Sequence, residues 1–194
     1  MIKKIALKIF VKPLVRLFYS GKYLKGQYFE RSNGGWYWGM RGILWQKIIG
    51  INRHVPWPVS PFIIIPKPQN VIFDVDDINI FQTNGTYFQT NFGGKIIIGK
   101  GTHIAPNVGL ITSNHDLINP DEHLEPKDIV IGKKCWIGMN SVVLPGVKLG
   151  DHTVVAAGAV VTKSFESGWC VVGGVPAKII KTLEYNNKTG KDNE

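Results

Sequence analysis

The chain has 194 residues, 44% of them hydrophobic, and a formal net charge of +9 from 23 Lys and Arg against 14 Asp and Glu. This length fits one domain with an extension, and the apolar content excludes a disordered polyelectrolyte. No uncharged apolar stretch reaches about 18 residues, so a membrane-spanning helix is not expected. Two cysteines are too few for a disulfide framework and suit a reducing compartment, so we expect a cytoplasmic protein.

The positive charge is confined to the first part of the chain. Residues 1–60 hold 11 basic side chains and one acid, Glu30, and therefore carry +10, whereas residues 61–194 sum to −1. The same 60 residues contain 11 of the 21 aromatic side chains. We therefore describe residues 1–60 as a basic, aromatic N-terminal extension, the head, on a nearly neutral body. No nucleic-acid motif accompanies the basic residues, so no nucleic-acid partner is expected.

The first predicted element is an amphipathic helix over residues 2–19, with a kink or break at Pro13. Its cationic stripe recurs every four residues, at Lys4, Lys8, Lys12 and Arg16. Apolar side chains cover much of the remaining face, at Ile2, Ile5, Ile9, Phe10, Leu14, Leu17 and Phe18. Two interpretations stay open at this point. The helix lies in the plane of an anionic inner membrane surface, or it packs its apolar face on the body or a neighbouring subunit.

The body contains a repeat with a period of six residues. Aliphatic side chains recur at every sixth position, at Ile131, Ile137, Val143, Leu149, Val155 and Val161. An earlier ladder runs in another phase, through Ile80, Thr86, Phe92, Ile98, Ile104 and Leu110. The 21 positions from Leu110 to Ile131 are not a multiple of six, which predicts an inserted loop over residues 113–128.

A period of six fits neither an amphipathic helix nor a simple strand, but it suits short strands that turn a corner every six residues. Three such sides close one triangular coil, and the aliphatic side chains of successive coils stack into a continuous core. The sequence therefore predicts an all-β solenoid over residues 61–183, followed by a polar, disordered tail over residues 184–194.

Three segments carry a family resemblance: IGKGTHIAPNVGLITSNHD, IVIGKKCWIGMNSVVLPGVKLGDHTVVAAGAVVTKSF and VVGGVPAKII. Over about residues 92–182 the chain resembles the hexapeptide-repeat acyltransferases, in the branch of the maltose, galactoside and polysaccharide O-acetyltransferases. The resemblance implies a left-handed parallel β-helix, a homotrimer and acetyl-CoA as co-substrate. The head, expected to be helical or irregular, carries no part of this resemblance.

Acyl transfer to an alcohol needs a base that removes the hydroxyl proton, and histidine suits that task near neutral pH. The resemblance places the family's catalytic base at His115, on the inserted loop beside the groove between subunits. Cys135 occupies a small-residue position of the repeat and is therefore interpreted as structural. The related γ-class carbonic anhydrases bind zinc through histidines, but this chain has no histidine pair at their close spacing, so no metal is expected.

The resemblance also places the acetyl-CoA site at turns and edges of the coils. The positions it implies are Gly138, Met139, Ala157, Thr162, Lys163, Lys178 and Lys181. For the glycine and the alanine, coil geometry alone is an equal explanation, and for the lysines the alternative is a solvated surface charge. Asn84 and Asn91 are the candidates for binding a sugar hydroxyl, with a turn residue as the alternative.

The expected activity is an acetyl-CoA-dependent O-acetyltransferase that acts on a sugar hydroxyl of a cell-envelope polysaccharide or its lipid-linked precursor. The expected location is the cytoplasm, and peripheral contact to the anionic inner membrane face through residues 1–19 stays one of the two interpretations of the first helix. Two alternatives remain open: a small acceptor such as a free sugar, serine or an antibiotic, and a non-catalytic trimeric scaffold.

Overall fold

A computed structural model describes residues 7–184 of the chain. Residues 2–6 of the predicted first helix and residues 185–194 of the predicted tail lie outside the described residues. The head begins with a π-helical turn, Leu7–Val11, which runs into α1, Lys12–Phe18. Pro13 stands in the first turn of α1, where its missing N–H is tolerated, and the helix type changes just before it.

The remainder of the head is built from short helical segments. A 3₁₀ turn, Gly21–Tyr23, and a π-helical turn, Gln27–Arg31, precede α2, Gly34–Gly42, which continues as a π-helix, Ile43–Ile49. The two α-helices approach closely at Gly39, because a Cβ atom there would lie 2.6 Å from Cγ1 of Val15. This contact buries Val15 completely.

The body consists of three parallel sheets wrapped around one core, the arrangement typical of a left-handed β-helix. The first sheet contains β1 (Val71–Ile72), β3 (Ile96–Ile98), β6 (Ile129–Ile131) and β9 (Lys148–Leu149). The second contains β4 (His103–Ile104), β7 (Trp136–Ile137), β10 (Val154–Val155), β12 (Cys170–Gly173) and the antiparallel β13 (Lys178–Thr182). The third contains β2 (Tyr87–Gln89), β5 (Gly109–Ile111), β8 (Val142–Val143) and β11 (Val160–Val161).

The predicted aliphatic ladder from Ile131 to Val161 is confirmed, since each of its six side chains is at most 2% exposed. The earlier ladder is wrong at Phe92. In the third sheet Phe88, and not Phe92, pairs with Leu110, whereas Thr86 is fully buried. Phe92 lies partly exposed in the turn between β2 and β3. That turn comprises residues 90–95, whereas the turn from β8 to β9 comprises only residues 144–147, and the extra residues break the six-residue spacing.

Each coil turns at corners that stack into columns along the solenoid. The leading corner of the third sheet, where the chain turns into that sheet, contains residues 84–85, 106–107, 139–140 and 157–158. Backbone bonds join its successive turns, such as Gly158 N–H to the Met139 carbonyl at 2.9 Å. Asn107 and Asn140 both adopt a left-handed φ of 58° there, a conformation that asparagine tolerates. The trailing corner of the third sheet, where the chain leaves that sheet, contains the inserted loop and residues 144–146 and 162–164.

An aromatic cluster joins the head to the N-terminal end of the solenoid. Trp57 is fully buried, and its ring centroid lies 4.8 Å from that of Tyr23 and 5.0 Å from that of Phe81. Phe81 in turn contacts Phe88, the innermost side chain of β2, at 5.3 Å. The head therefore covers apolar core that an end coil would leave open to water. The boundary at residue 60 stays a prediction, and one buried cluster runs across it.

Residues 7–184 include no helix that combines the length and the apolar content needed to cross a membrane.

Candidate active site

The predicted insertion leaves the third sheet after Ile111 and rejoins the first sheet at Ile129. Gln89 fixes the start of this inserted loop, because its Oε1 accepts hydrogen bonds from the N–H groups of Thr112 and Ser113, both at 2.9 Å. The Ser113 hydroxyl donates to the Leu124 carbonyl at 2.7 Å, which closes the loop into a hairpin. An antiparallel bridge sets His115 opposite His123.

His115 is exposed, and a backbone contact fixes which of its nitrogens carries the proton. Its Nδ1 lies 2.6 Å from the carbonyl oxygen of Pro120. A carbonyl oxygen can only accept, so Nδ1 must be the donor. In the neutral ring Nε2 therefore keeps its lone pair, and a general base needs that tautomer.

Asp116 holds the turn that presents the Pro120 carbonyl. Its Oδ1 accepts the N–H groups of Asn119 at 2.9 Å and Ile118 at 2.8 Å. These bonds, first that from Asn119 and then that from Ile118, keep the pKa of the Asp116 carboxyl below its ordinary value. The carboxylate is therefore ionised at neutral pH and stabilises the turn as an acceptor.

Three rings form a stack that ends on His115. The His123 ring lies 3.9 Å from the Phe92 ring and 4.2 Å from the His115 ring, measured between centroids. Sequence reasoning did not find this stack, because it assigned Phe92 to the buried ladder and gave His123 no role. Nothing in the spacing of these three residues signals that they meet.

The residues predicted to bind acetyl-CoA fall in three places. Met139 and Ala157 are exposed at the leading corner, Thr162 and Lys163 at the trailing corner, and Lys178 and Lys181 on β13. Gly138 is buried, and a Cβ atom on it would lie 2.6 Å from Ala157 N and Val155 O. Coil geometry therefore requires glycine at position 138 whatever binds nearby.

A cleft brings the His115 loop together with Thr162. It has a volume of about 440 Å³ and is lined by Asn114, Leu124, Glu125, Lys127, Leu144, Pro145 and Thr162. Met139 and Ala157 lie across the third sheet from this cleft. Four residues at about 3.3 Å each separate the two edges by about 13 Å. One protomer thus sets Thr162 in a cleft with the loop that carries His115 and holds Met139 and Ala157 at the opposite edge.

The two predicted acceptor residues also lie apart. Asn84 accepts a hydrogen bond from the Ser60 hydroxyl at 2.8 Å and faces a cavity of about 460 Å³ between the head and the first coil. That cavity is lined by Arg41, Trp45, Ile51, Ser60, Pro61, Phe62, Gln82 and Asn84. Asn91 follows β2 on the trailing side, and its buried Oδ1 has no hydrogen-bond partner within residues 7–184. The described chain therefore does not place the two asparagines in one pocket.

Residues 128–163 match the family model described as bacterial transferase hexapeptide, six repeats. The match lies in the stretch where the three parallel sheets repeat every six residues, so residues 128–163 of this chain carry the hexapeptide repeat of bacterial transferases.

Three of its relatives show how far the similarity extends. Galactoside O-acetyltransferase of Escherichia coli is 34% identical over 113 residues, which cover 54% of this chain and 55% of that protein. A second Escherichia coli protein, WbbJ, whose name assigns it to lipopolysaccharide biosynthesis as an O-acetyl transferase, is 35% identical over 62% of this chain and 64% of its own length. A solved galactoside acetyltransferase in complex with coenzyme A superposes with a TM-score of 0.56 at 28% identity, covering 66% of this chain and 62% of that one. The chain spans between about half and two thirds of the length of these relatives.

Cys135 has a structural role in this hexapeptide-repeat chain. It is buried, its Sγ lies 3.3 Å from the Gly150 carbonyl, and burial raises the pKa of its thiol. A thiol held neutral in this way is a poor nucleophile. Within the part of the chain that the structure describes, no three His, Cys, Asp or Glu side chains meet as a metal-binding group.

Proposed function

We propose that this protein transfers an acetyl group from acetyl-CoA to a hydroxyl group of a sugar, with His115 as the general base. The observation that carries the proposal is the contact between His115 Nδ1 and the Pro120 carbonyl, which leaves Nε2 free to accept a proton. The relatives support the reaction class, because two are named as O-acetyltransferases and one is solved with coenzyme A.

The proposed chemistry needs no group beyond the two substrates and the imidazole. The acceptor oxygen attacks the thioester carbonyl while Nε2 of His115 removes its proton. The tetrahedral intermediate then expels the coenzyme A thiolate, which regains a proton from the imidazolium. General-base catalysis of this kind contributes about 10²–10⁴ in rate.

We also propose that the active enzyme is a homotrimer. Within one protomer, His115 and Thr162 lie on the trailing side of the third sheet, and Met139 and Ala157 lie on the leading side. A neighbouring copy that sets its leading corner against this trailing corner would bring both sets of residues to one groove. Lys163, Lys178 and Lys181 are exposed cations that suit the phosphates of acetyl-CoA.

The proposed acceptor is a sugar of a cell-envelope polysaccharide or its lipid-linked precursor, acetylated in the cytoplasm at the inner membrane face. The cavity beside Asn84 supports a sugar, because the half-exposed Trp45 indole offers a flat apolar surface to sugar C–H groups. Gln82 and Asn84 add amide groups for hydroxyls, and Arg41 adds a cation for an acidic substituent. The volume of the cavity beside Asn84 is within the range of small-molecule binding sites.

The test compares the purified protein with two histidine variants, in the presence of acetyl-CoA and a panel of glycan, sugar and amino-acid acceptors. Released thiol reports turnover. We expect His115→Ala to lower kcat by about 10²–10⁴ at unchanged thermal stability. His103→Ala, which removes an exposed histidine on β4, should retain activity. Equal rates in the His115 variant and the parent protein would refute the mechanism.

The scaffold alternative would gain if no acceptor were turned over and acetyl-CoA did not raise the melting temperature of the protein.

A further inference from the structure

The head carries many large apolar side chains that the fold leaves in water. Leu17 is 77% exposed, Phe10 69% and Ile48 64%. We call the full set the head face: Ile9, Phe10, Leu14, Leu17, Phe18, Tyr37, Leu44, Trp45, Ile48, Ile49 and Ile51. Its members lie on two helical stretches, residues 7–18 and 34–49, except for Ile51 in the following turn, so the set extends well past the first predicted helix.

Packing within the head explains only part of this apolar surface. On α1, Val15 is fully buried and Leu14 and Leu17 point outward, so the helix has two apolar stripes and the fold uses one. The second helical stretch repeats this pattern, with Ile43 buried and Leu44 and Ile48 exposed. A helix that only packs on its own domain needs a single apolar stripe. A second stripe of this size indicates a surface that binds something.

The charges beside the head face have one sign. The described side chains of the head include eight Lys and Arg and one acid, Glu30. None of the eight cations forms an ion pair, since both ion pairs within residues 7–184 belong to Lys100. Lys12 and Arg16 lie 5.1 and 5.4 Å from the Trp36 ring, and Arg41 lines the same cavity as Trp45 and Ile51 of the head face.

Two of the cations are used inside the head. Lys47 donates to the Arg53 and Val55 carbonyls, and Arg53 donates to the Ile48 carbonyl. Lys12, Arg16, Lys22, Lys25, Arg31 and Arg41 have no such backbone bond among the described residues. These six cations can meet an anionic surface without breaking the fold.

We propose that the head face binds the surface of an anionic lipid membrane, with its apolar side chains in the headgroup region and its cations on lipid phosphates. Apolar and aromatic side chains flanked by Lys and Arg are the composition of interfacial membrane helices. Each basic side chain near such a surface strengthens the attraction to anionic lipid. A second copy is the poorer occupant, because its head carries the same charge of +10 and would be repelled.

The experiment measures co-sedimentation of the full chain with vesicles of phosphatidylcholine alone and of phosphatidylcholine mixed with phosphatidylglycerol. Ile48→Asp is compared with Ile180→Asp, since both positions are 64% exposed but Ile180 lies on β13 of the body. We expect binding to the anionic vesicles that weakens with salt and falls by about tenfold or more in Ile48→Asp. Ile180→Asp should bind like the parent protein, and circular dichroism verifies the fold of each variant.

A charge-reversal pair tests the electrostatic part independently. Arg16→Glu with Arg41→Glu should also lose binding to the anionic vesicles, whereas Lys148→Glu on the body should not. Equal binding to both kinds of vesicle, or equal binding by the Ile48 and Ile180 variants, would overturn the proposal. Absence of vesicle binding together with self-association that Ile48→Asp abolishes would assign the head face to a second copy instead.

Discussion

The ring stack on His115 gives a prediction that can be worked from distances. His123 lies between Phe92 and His115, with centroid distances of 3.9 and 4.2 Å. Replacing His123 by Ala removes both ring contacts and leaves the Pro120 bond as the main restraint on the His115 ring. An aromatic pair is worth about 0.5–1.5 kcal/mol beyond the area it buries. If that energy orients the catalytic ring, its loss lowers kcat by roughly two- to tenfold.

The conservative variant separates positioning from structure. His123→Phe keeps a flat ring between Phe92 and His115, so it should restore kcat to within about twofold of the parent protein. The KM for acetyl-CoA should stay constant in both variants, because the stack lies on the loop and not on the coil edges predicted to bind the co-substrate. Initial rates by thiol release, with thermal melts as a control of folding, give these values. Equal kcat in His123→Ala and the parent protein would refute the positioning role, as would a Phe variant no faster than the Ala variant.

Two further predictions concern stability and can be measured by urea unfolding or thermal melting. Asp76 and Asp77 are neighbours with opposite pKa shifts: bonds from Gln27 N–H and Lys100 lower the pKa of Asp76, whereas burial raises that of Asp77. The ionised Asp76 therefore stabilises the fold above its ordinary pKa of 3.8, and this contribution is lost as the pH falls. Asp76→Asn should cost about 0.5–1 kcal/mol at pH 7, with a cost that fades toward pH 3. Asp77→Asn should be neutral or stabilising at pH 7, because the Asn side chain can still accept the hydrogen bond from Gly101 N–H that Asp77 accepts at 2.7 Å. A loss of stability equal to that of Asp76→Asn would contradict the opposite pKa shifts of the two carboxyls. Gly138→Ala should cost about 1–3 kcal/mol, since its Cβ would lie 2.6 Å from backbone atoms of the next coil. Gly21→Ala is the control, with nothing within 4 Å of its added Cβ, and similar losses in both glycine variants would contradict the packing argument.

The solenoid was predictable where turn length is constant. From Ile131 to Val161 each corner takes the same number of residues, so position in the sequence determines the sheet on which a side chain lies and the core it enters. The prediction failed at Phe92 because the turn between β2 and β3 is longer than the turn between β8 and β9. An insertion that happens to place an apolar residue at the expected position cannot be recognised from spacing alone. Phe92 was apolar and in phase, yet it packs against the inserted loop.

The candidate site was predictable in residue type but not in geometry. A histidine in the inserted loop is visible in the sequence, and the resemblance gives it a role. The bond from Nδ1 to the Pro120 carbonyl depends on a turn that Asp116 holds through two backbone N–H groups. The stack with His123 depends on how the hairpin closes. Neither the tautomer nor the stack follows from spacing, because both arise from tertiary contacts within a loop without repeats.

The head shows a similar division between pattern and packing. Its apolar and cationic stripes were visible, but two interpretations of the apolar face remained, packing on the body or a neighbouring subunit, or membrane contact. Packing at Gly39, within the head itself, takes one stripe inward through Val15 and leaves another outward through Leu14 and Leu17, so the single predicted apolar face is divided between two stripes of the same helix. A helical wheel cannot make this distinction, since it records polarity and not the position of the neighbouring helix.

The proposed membrane surface and the proposed acceptor cavity share residues, which links substrate and location. Trp45 and Ile51 line the cavity beside Asn84 and also belong to the head face. A head that lies on an anionic membrane would therefore hold the mouth of this cavity at the headgroup level. Sugars linked to a lipid carrier are found at that depth, whereas a free sugar or amino acid would gain nothing from it. If both proposals hold, the shared residues favour a membrane-borne glycan over a small soluble acceptor, and the basic head would act in substrate selection as well as in location.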